Sequence, residues 1–273
     1  MKYSSELKVI DTQEKAYLLG FLYGDGCICT YAEKTGRIRF LTKISISIDD
    51  KEIIEQLYKF FPFFNLGGFD YSKYNKKCVK QISITKSSKE LFNDLLLNGV
   101  YPRKSYENAN KLRIPNIDKS LISHFIRGFF DADGSVYIPT RRKNLLSIEF
   151  SSVSLKFLTD INNYLINLNI NCWKIKSKVP SSKGRQVCHN LIFNKTSEIL
   201  KLINFMYKDS TINLKRKADK CLNYKPVDIF LNRNMICSAC NSNKIIKDGK
   251  RISSIRYRCK NCGRRFSIKR NKF

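Results

Sequence analysis

Two sets of residues in this 273-residue chain have the types and spacing to do chemistry. The first is a tail of four cysteines, Cys237-Ser238-Ala239-Cys240 and, eighteen residues on, Cys259-Lys260-Asn261-Cys262. Each C-x2-C pair turns two sulfurs toward one ion, and the separation falls in the range of a four-thiolate Zn2+ site. Gly263 after the second pair suits a tight knuckle turn, and Lys244–Lys247 and Arg256–Arg258 read as short strands around a turn at Asp248-Gly249. Disulfides or a redox dithiol are the alternatives, but ten cysteines in a basic, unsecreted chain fit a reducing, intracellular compartment. So short a segment has too little apolar core to fold alone, and the metal would supply the folding energy.

The second set is a pair of aspartates. Asp25 follows Gly20 and Gly24, and Asp133 follows Gly128 and Ala132. Small residues four apart share one helix face and let two backbones approach closely. If two such helices pack about a pseudo-two-fold axis, Asp25 and Asp133 meet at one end, near the axis. Two carboxylates together in so basic a protein need a compensating cation, and hard oxygen donors suit Mg2+. An ion held there activates water and stabilises the leaving oxygen of a phosphodiester. Taken singly, each Asp-Gly reads as a helix-ending turn. Its recurrence with the same small-residue spacing favours the paired reading.

The elements that must position these residues recur too. Gly20–Ile28 aligns with Gly128–Val136 at an offset of 108. Ile44-Ser45-Ile46 and Lys51–Phe60 align with Ile148-Glu149-Phe150 and Leu155–Leu165 at 104, and Ile82–Ser88 with Leu191–Ser197 at 109. Matches in order at nearly constant offset mean a duplicated globular unit. They predict an α+β fold with repeats over 1–112 and 113–222, a linker over 223–234 containing Pro226, and the metal-ribbon tail over 235–273. Within the first repeat, Asp11 and Glu14 resemble a capping box before a helix Thr12–Tyr23, which Gly24-Asp25-Gly26 ends. From Arg37 to Ile48, apolar Ile38, Phe40, Ile44, Ile46 and Ile48 alternate with Arg37, Arg39, Lys43, Ser45 and Ser47, the signature of a half-buried strand. In repeat 2, Gln186, Cys188, Asn190 and Asn194 alternate more weakly with Val187, Leu191 and Phe193. Cys27 and Cys29, in a strand-like stretch, read as small packing residues.

Charge points to the partner. Lys and Arg number 51 against 23 Asp and Glu, a net +28 whose self-repulsion a polyanion would relieve. A membrane surface is disfavoured, since no basic amphipathic helix and no apolar run of about 18 residues is present. The opening Met1–Ser5 has no apolar core of a signal peptide. An open, basic sheet face suits the DNA major groove, with a solvated face as the plain alternative. The expected contacts are Arg37, Arg39, Lys43, Ser45, Ser47, Gln186 and Asn190, with Arg256 and Arg258 in the tail. Residues 231–273 carry thirteen Lys and Arg against one acid, Asp248, which favours backbone contact over a protein-binding ribbon.

Leu18–Gly26 and Ile126–Gly134 resemble the two signature copies of the LAGLIDADG homing endonucleases, over roughly residues 10–220. The first copy departs where Tyr23 replaces an acidic residue found in many copies, at a position that is usually not the metal ligand. The resemblance implies two pseudo-symmetric repeats of antiparallel sheet covered by helices, with Asp25 and Asp133 binding divalent metal and serving one DNA strand each. It implies a monomer that cuts long, near-palindromic double-stranded sites, leaving short 3′ overhangs, in the homing of an intron or free-standing mobile gene. Basic residues late in each repeat would stand near the active site. Lys104 and Lys215 match best by position, and Arg103 and Lys217 fit nearly as well. The tail resembles small zinc ribbons near the ends of some transposases and homing enzymes, although a transposase reading leaves the duplicated aspartates unexplained. A non-cleaving binder, either an intron maturase with intron RNA as partner or a regulator, is the competing reading, and the presence of both aspartates argues against it. An intein is disfavoured, because residue 1 is Met and Arg270–Phe273 lacks a His-Asn pair. His124, in the second signature helix, reads as a packing or capping residue, and His189 joins no ligand set.

Overall fold

The hydroxyl of Thr12 accepts the backbone N–H of Lys15 at 3.2 Å and so starts the first helix, α1 (Gln13–Gly24). The expected Asp11/Glu14 capping box does not form. Position 15 is a lysine rather than the acid such a box requires, and Asp11 pairs with it at 2.8 Å. Glu14 instead accepts from the Thr211 hydroxyl at 2.8 Å. Residues Ala16–Tyr23 are buried all round, so α1 is a central helix rather than an amphipathic surface one. These coordinates are a computed structural model that describes residues 7–74, 77–140, 145–179, 186–225, 235–251 and 254–269. The expectations placed on Met1–Ser5, on 226–234 of the linker and on Arg270–Phe273 lie outside them.

The rest of the first repeat follows as β1 (Gly26–Ala32), β2 (Ile38–Ser47), α2 (Lys51–Phe60), β3 (Asn65–Leu66), β4 (Asp70–Tyr74), β5 (Lys77–Ser87) and α3 (Lys89–Leu97). Its sheet is antiparallel in the order β1-β2-β5-β3, with β4 also on β5. The second repeat runs α4 (Ile122–Asp133), β6 (Gly134–Tyr137), β7 (Ser147–Ser152), α5 (Leu155–Asn167), β8 (Lys174–Lys178), β9 (Cys188–Phe193), α6 (Thr196–Tyr207) and α7 (Lys215–Leu222), with strand order β6-β7-β9-β8. Residues 1–224, both repeats together, form one compact unit, and 225–273 form another.

Thr42, Ile44 and Ile46 of β2 are buried, while Lys43, Ser45 and Ser47 are half-exposed, as period-2 patterning requires. Helices α2 and α3 pack against β5 and β2, and α5 against β7 and β9, covering the greasy face. The strand registers correct the repeat alignment. Gly26 pairs with Ile44, and Gly134 with Phe150, so Ile44 corresponds to Phe150 rather than to Ile148. Ile44 then pairs with Ile84, and Phe150 with Leu191, so Ile84 rather than Ile82 corresponds to Leu191. A slip of two residues keeps every side chain on its face, so apolar patterning alone does not detect it. In β9 the expected alternation breaks, because Leu191, Ile192 and Phe193 are all buried, and Gln186 precedes the strand.

Cys27 and Cys29 are not packing residues. They pair with Lys43 and Leu41 across β1 and β2, on the open face, with Cys27 exposed and Cys29 half-buried. Being small did not decide their side; the strand register did.

The tail unit is a three-stranded antiparallel sheet of β10 (Ile245–Lys250), β11 (Ser254–Cys259) and β12 (Arg265–Lys269) in that order. Tyr257 stacks on Phe266 at 5.9 Å across β11 and β12. Asp248-Gly249 is not the turn. Gly249, at φ +134°, sits at a bulge inside β10, and Asp248 accepts from Arg265 at 2.8 Å, tying β10 to β12.

Candidate active site

The two repeats meet through α1 and α4. A Cβ added at Gly20 would lie 1.9 Å from the carbonyl oxygen of Phe125, and one at Gly128 would lie 2.0 Å from that of Tyr17. Tyr17 and Phe125 are themselves related by the offset of 108, so each glycine receives the backbone opposite its own symmetry mate. Nearer the helix ends, a Cβ at Gly24 would lie 2.3 Å from the Ala132 Cβ and 3.3 Å from the Asp133 carboxyl carbon. The four small residues therefore form the crossing expected of them. The same crossing brings Asp25, which caps α1, beside Asp133, the last residue of α4.

Both carboxylates reach solvent at the floor of a crevice, with protein on their other sides. That partial desolvation raises the Asp133 carboxyl to about 7, with the charge of Asp25 adding to the effect. Asp25 is raised for the same first reason. Lys104 and Lys217 oppose both shifts, unequally. Asp25 is drawn down more by Lys217 than by Lys104, and Asp133 more by Lys104 than by Lys217. The cavities agree. One of about 200 Å3 joins Asp25, Ser45, Ser47 and Gln81 of the first repeat to Leu214 and Arg216 of the second. Another of about 180 Å3 joins Asp133, Ser151 and Cys188 of the second repeat to Lys104 of the first. Each half of the site is thus built from both repeats.

Lys104 donates to the carbonyl of Gly26, just after Asp25. Lys217 does the same after Asp133, reaching Gly134 O at 2.6 Å, Asp131 O at 2.7 Å and Phe130 O at 2.8 Å. Burial lowers the Lys217 ammonium to about 8 and lowers Lys104 as well. Lys215 is a correction. Its side chain is exposed on the outer face of α7 and paired with Asp219 at 2.7 Å, away from the carboxylates. Helical phase explains the difference: Leu214, Lys217, Ala218 and Cys221 share the buried side of α7, while Lys215 and Asp219 share the other. That spacing was legible and favours Lys217. Arg103 also falls outside, exposed and paired with Glu107.

The expected DNA contacts are scattered in environment. Arg37 is exposed ahead of β2, Arg39 pairs with Glu33 at 2.7 Å, and Lys43 faces out opposite Cys27. Ser45 donates to Gln81 at 3.1 Å, and Ser47 caps the turn after β2, accepting from Asp49 N–H. Gln186 is exposed, and Asn190 donates to Glu149 at 3.1 Å. His124, half-buried on α4, receives a hydrogen bond from the buried Arg127 at 2.8 Å. In the tail unit, Arg256 and Arg258 share the face of β11 opposite Tyr257. Two features went unseen in the sequence: the bidentate Arg216–Asp50 ion pair at 2.6 and 2.8 Å beside Asp25, and the buried Asp131 network described below.

The sulfurs of Cys237, Cys240, Cys259 and Cys262 all lie within 4.8 Å of one another. Two positive-φ residues turn the knuckles, Gly263 as expected and Asn241 in the first, each returning its N–H to the first cysteine's carbonyl at 3.0 and 2.8 Å. Backbone N–H groups within each knuckle point at Cys237 and Cys259 and lower both thiols, Cys259 to about 6. Four clustered sulfurs, with Cys237 and Cys259 lowered and Cys262 raised by the sulfurs crowded against it, form a donor set that fits a tetrahedral soft-metal centre.

Two sheet-and-helix repeats clasped through small-residue helices, with one carboxylate from each at the axis, define the class. Residues 120–200 match the family model described as LAGLIDADG-like domain. Over both repeats the chain has the fold of the single-chain LAGLIDADG homing endonucleases. It superposes on the homing endonuclease I-WcaI bound to its DNA recognition sequence, with TM-score 0.51 and 15% identity, covering 80% of this chain and 94% of that one. It is similar also to the LAGLIDADG meganuclease I-AabMI bound to uncleaved DNA, with TM-score 0.50 and 16% identity, covering 79% and 90%. Among curated proteins it is 25% identical over 210 residues to a probable translation initiation factor IF-2 of Methanocaldococcus jannaschii, a match covering 75% of this chain. The chain spans only 16% of that relative's length. Among the described residues no helix is long and apolar enough to cross a membrane.

Proposed function

We propose that the chain is a site-specific DNA endonuclease that makes a double-strand break at a long, near-palindromic site, as in the homing of an intron or free-standing mobile gene. The observation that carries the reading is the pair of carboxylates at the α1–α4 crossing, each faced by a lysine. Asp25 and Asp133 would hold the divalent metal, for which Mg2+ suits the oxygen donors. The fit rests on the burial of Asp133 and on the charge of Asp25 beside it, which together raise its carboxyl and which a cation relieves. When bound, such an ion supplies Lewis-acid stabilisation of the charge that develops on a phosphodiester.

The chain's own residues do the rest. Lys104 and Lys217, held over the carbonyls of Gly26 and Gly134, place positive charge beside the carboxylates where a phosphate would lie. The lowered ammonium of Lys217, at about 8, also suits it to exchange a proton with a leaving oxygen or a water. Arg37, Arg39, Lys43, Ser45, Ser47, Gln186 and Asn190 would position and read the duplex as a monomer's two half-sites, and Arg256 and Arg258 of a zinc-held ribbon would lengthen the backbone contact. A binder that does not cleave, such as a maturase engaging intron RNA, leaves the paired carboxylates and their lysines without a task.

The test is selection from a randomised duplex library. The protein is incubated with Mg2+ and the library, and the cut ends are sequenced. One long motif, cut on both strands with a short 3′ overhang, is expected. No cleavage at any sequence, with DNA binding retained, would overturn the reading.

A further inference from the structure

Positions 23 and 131 are related by the same offset of 108 as the two aspartates, yet one is Tyr and the other Asp. Both side chains are buried, at 2% exposure, and each lies in the wall of one of the two cavities rather than open to solvent. What they share is a tether. The Tyr23 hydroxyl donates to the Asn98 carbonyl at 2.9 Å, at the turn that ends α3. It presses so close to Gly99 (φ +84°) that a Cβ there would lie 2.1 Å from its oxygen. The chain runs from this turn directly to Lys104.

Asp131 does the corresponding task with different chemistry. One of its oxygens accepts the backbone N–H of Leu214 and the Tyr17 hydroxyl, each at 2.8 Å, and the other accepts the Tyr207 hydroxyl at 3.4 Å. Leu214 is the residue from which α7 starts, and one helical turn later Lys217 closes on the carbonyls of Phe130, Asp131 and Gly134. The symmetry mate of Asp131 is a neutral phenol, so the position does not require a charge. What recurs is a hydrogen bond from the central helix to the segment bearing that repeat's lysine.

We propose that Tyr23 and Asp131 are positioning residues for the lysines of crossed half-sites. Tyr23 sets Lys104 beside Asp133, and Asp131, through Leu214 and α7, sets Lys217 beside Asp25. The inference rests on the nuclease reading for its effect on cleavage, but the tether itself is independent of it. A lysine displaced by about 1 Å costs on the order of a hundredfold in rate. Loss of one tether therefore shows on one strand only.

The test uses the full chain with two readouts. On the strand-labelled target, Asp131→Ala slows the Asp25-dependent strand about a hundredfold and leaves the other within about twofold. Asp131→Asn keeps an acceptor for Leu214 N–H and recovers most of that loss. Tyr23→Phe slows the opposite, Asp133-dependent strand by about tenfold or more. Without DNA, acetic anhydride labelling followed by mass spectrometry reads each lysine directly. Lys217 acylates several-fold faster in Asp131→Ala with Lys104 unchanged, and the reverse holds in Tyr23→Phe. Equal slowing of both strands with unchanged labelling would mean mere packing and overturn the proposal, as would slowing of the uncrossed strand. Should Asp131→Ala fail to fold, Asp131→Asn and Tyr23→Phe carry the same comparison. Should the wild-type chain cut nothing, the nuclease reading fails, and the labelling still decides the tether.

Discussion

Replacing Gly20 by alanine probes the geometry on which the site depends. The new Cβ would stand 1.9 Å from the Phe125 carbonyl oxygen and 2.9 Å from Phe129 N, both backbone atoms that no side-chain rotation moves aside. Raising the first contact to 3.0 Å, below which real Cβ atoms are essentially never found, parts the helices by about 1.1 Å. Overpacking of this kind costs about 1–3 kcal/mol, offset by up to about 1 kcal/mol from the better helix propensity of alanine. For the compact two-repeat unit the net cost corresponds to a fall of a few degrees, on the order of 2–8 °C, in Tm. The effect on cleavage is larger, since a shift of about 1 Å between reacting groups costs on the order of a hundredfold. Calorimetry and single-turnover cleavage of the selected target, run on the same preparation, separate the two. Gly128→Ala, 2.0 Å from the Tyr17 carbonyl oxygen, is expected to match it. A Gly20→Ala protein with unchanged Tm and unchanged cleavage rate would refute the close-crossing argument.

Three further outcomes follow from the same geometry. With its carboxyl raised to about 7, Asp133 in the metal-free fold holds a proton that the unfolded chain releases above its ordinary 3.8. The stability so contributed is complete below that value and is lost as pH rises through about 7. Mg2+ competes with that proton, so its stabilisation in thermal melts is larger near pH 8 than near pH 5, and Asp133→Asn abolishes the difference. Lys217→Ala lowers the single-turnover rate by about a hundredfold or more, whereas Lys215→Ala, which removes only an exposed partner of Asp219, stays within about twofold. Zinc removal, or Cys237→Ser, unfolds the ribbon and weakens DNA binding while flattening its salt dependence; an unchanged salt slope after deletion of 231–273 would count against DNA contact by the tail.

Much of the positioning framework was legible in the sequence, for physical reasons. Gly20, Gly24, Gly128 and Ala132 recur at a spacing that has one simple use, close helix crossing, and the recurrence itself announced a pseudo-two-fold axis. The cysteine spacing of the tail was similarly constrained, because four thiols in two knuckles have few other tasks. Period 2 located β2 to within a residue at each end.

What escaped was whatever depends on partners far apart in the chain. A two-residue slip in strand register preserves every apolar match, so Ile44 was aligned to Ile148 instead of Phe150. The side on which Cys27 and Cys29 fall is set by their pairing with Lys43 and Leu41, not by their size. Counting from the aspartate chose Lys215, while the helical phase of Leu214, Ala218 and Cys221 would have chosen Lys217. The crossing that puts Lys104 of the first repeat in one cavity with Asp133 of the second exists only in three dimensions.

The most direct measurement is strand-resolved cleavage of the selected duplex by Asp25→Asn and Asp133→Asn, with DNA affinity determined alongside. Each variant is expected to bind as the unaltered protein does, and to lose double-strand cleavage, leaving either no cut or a nick confined to one strand, opposite in the two variants. Unimpaired cutting of both strands by either one would contradict the account.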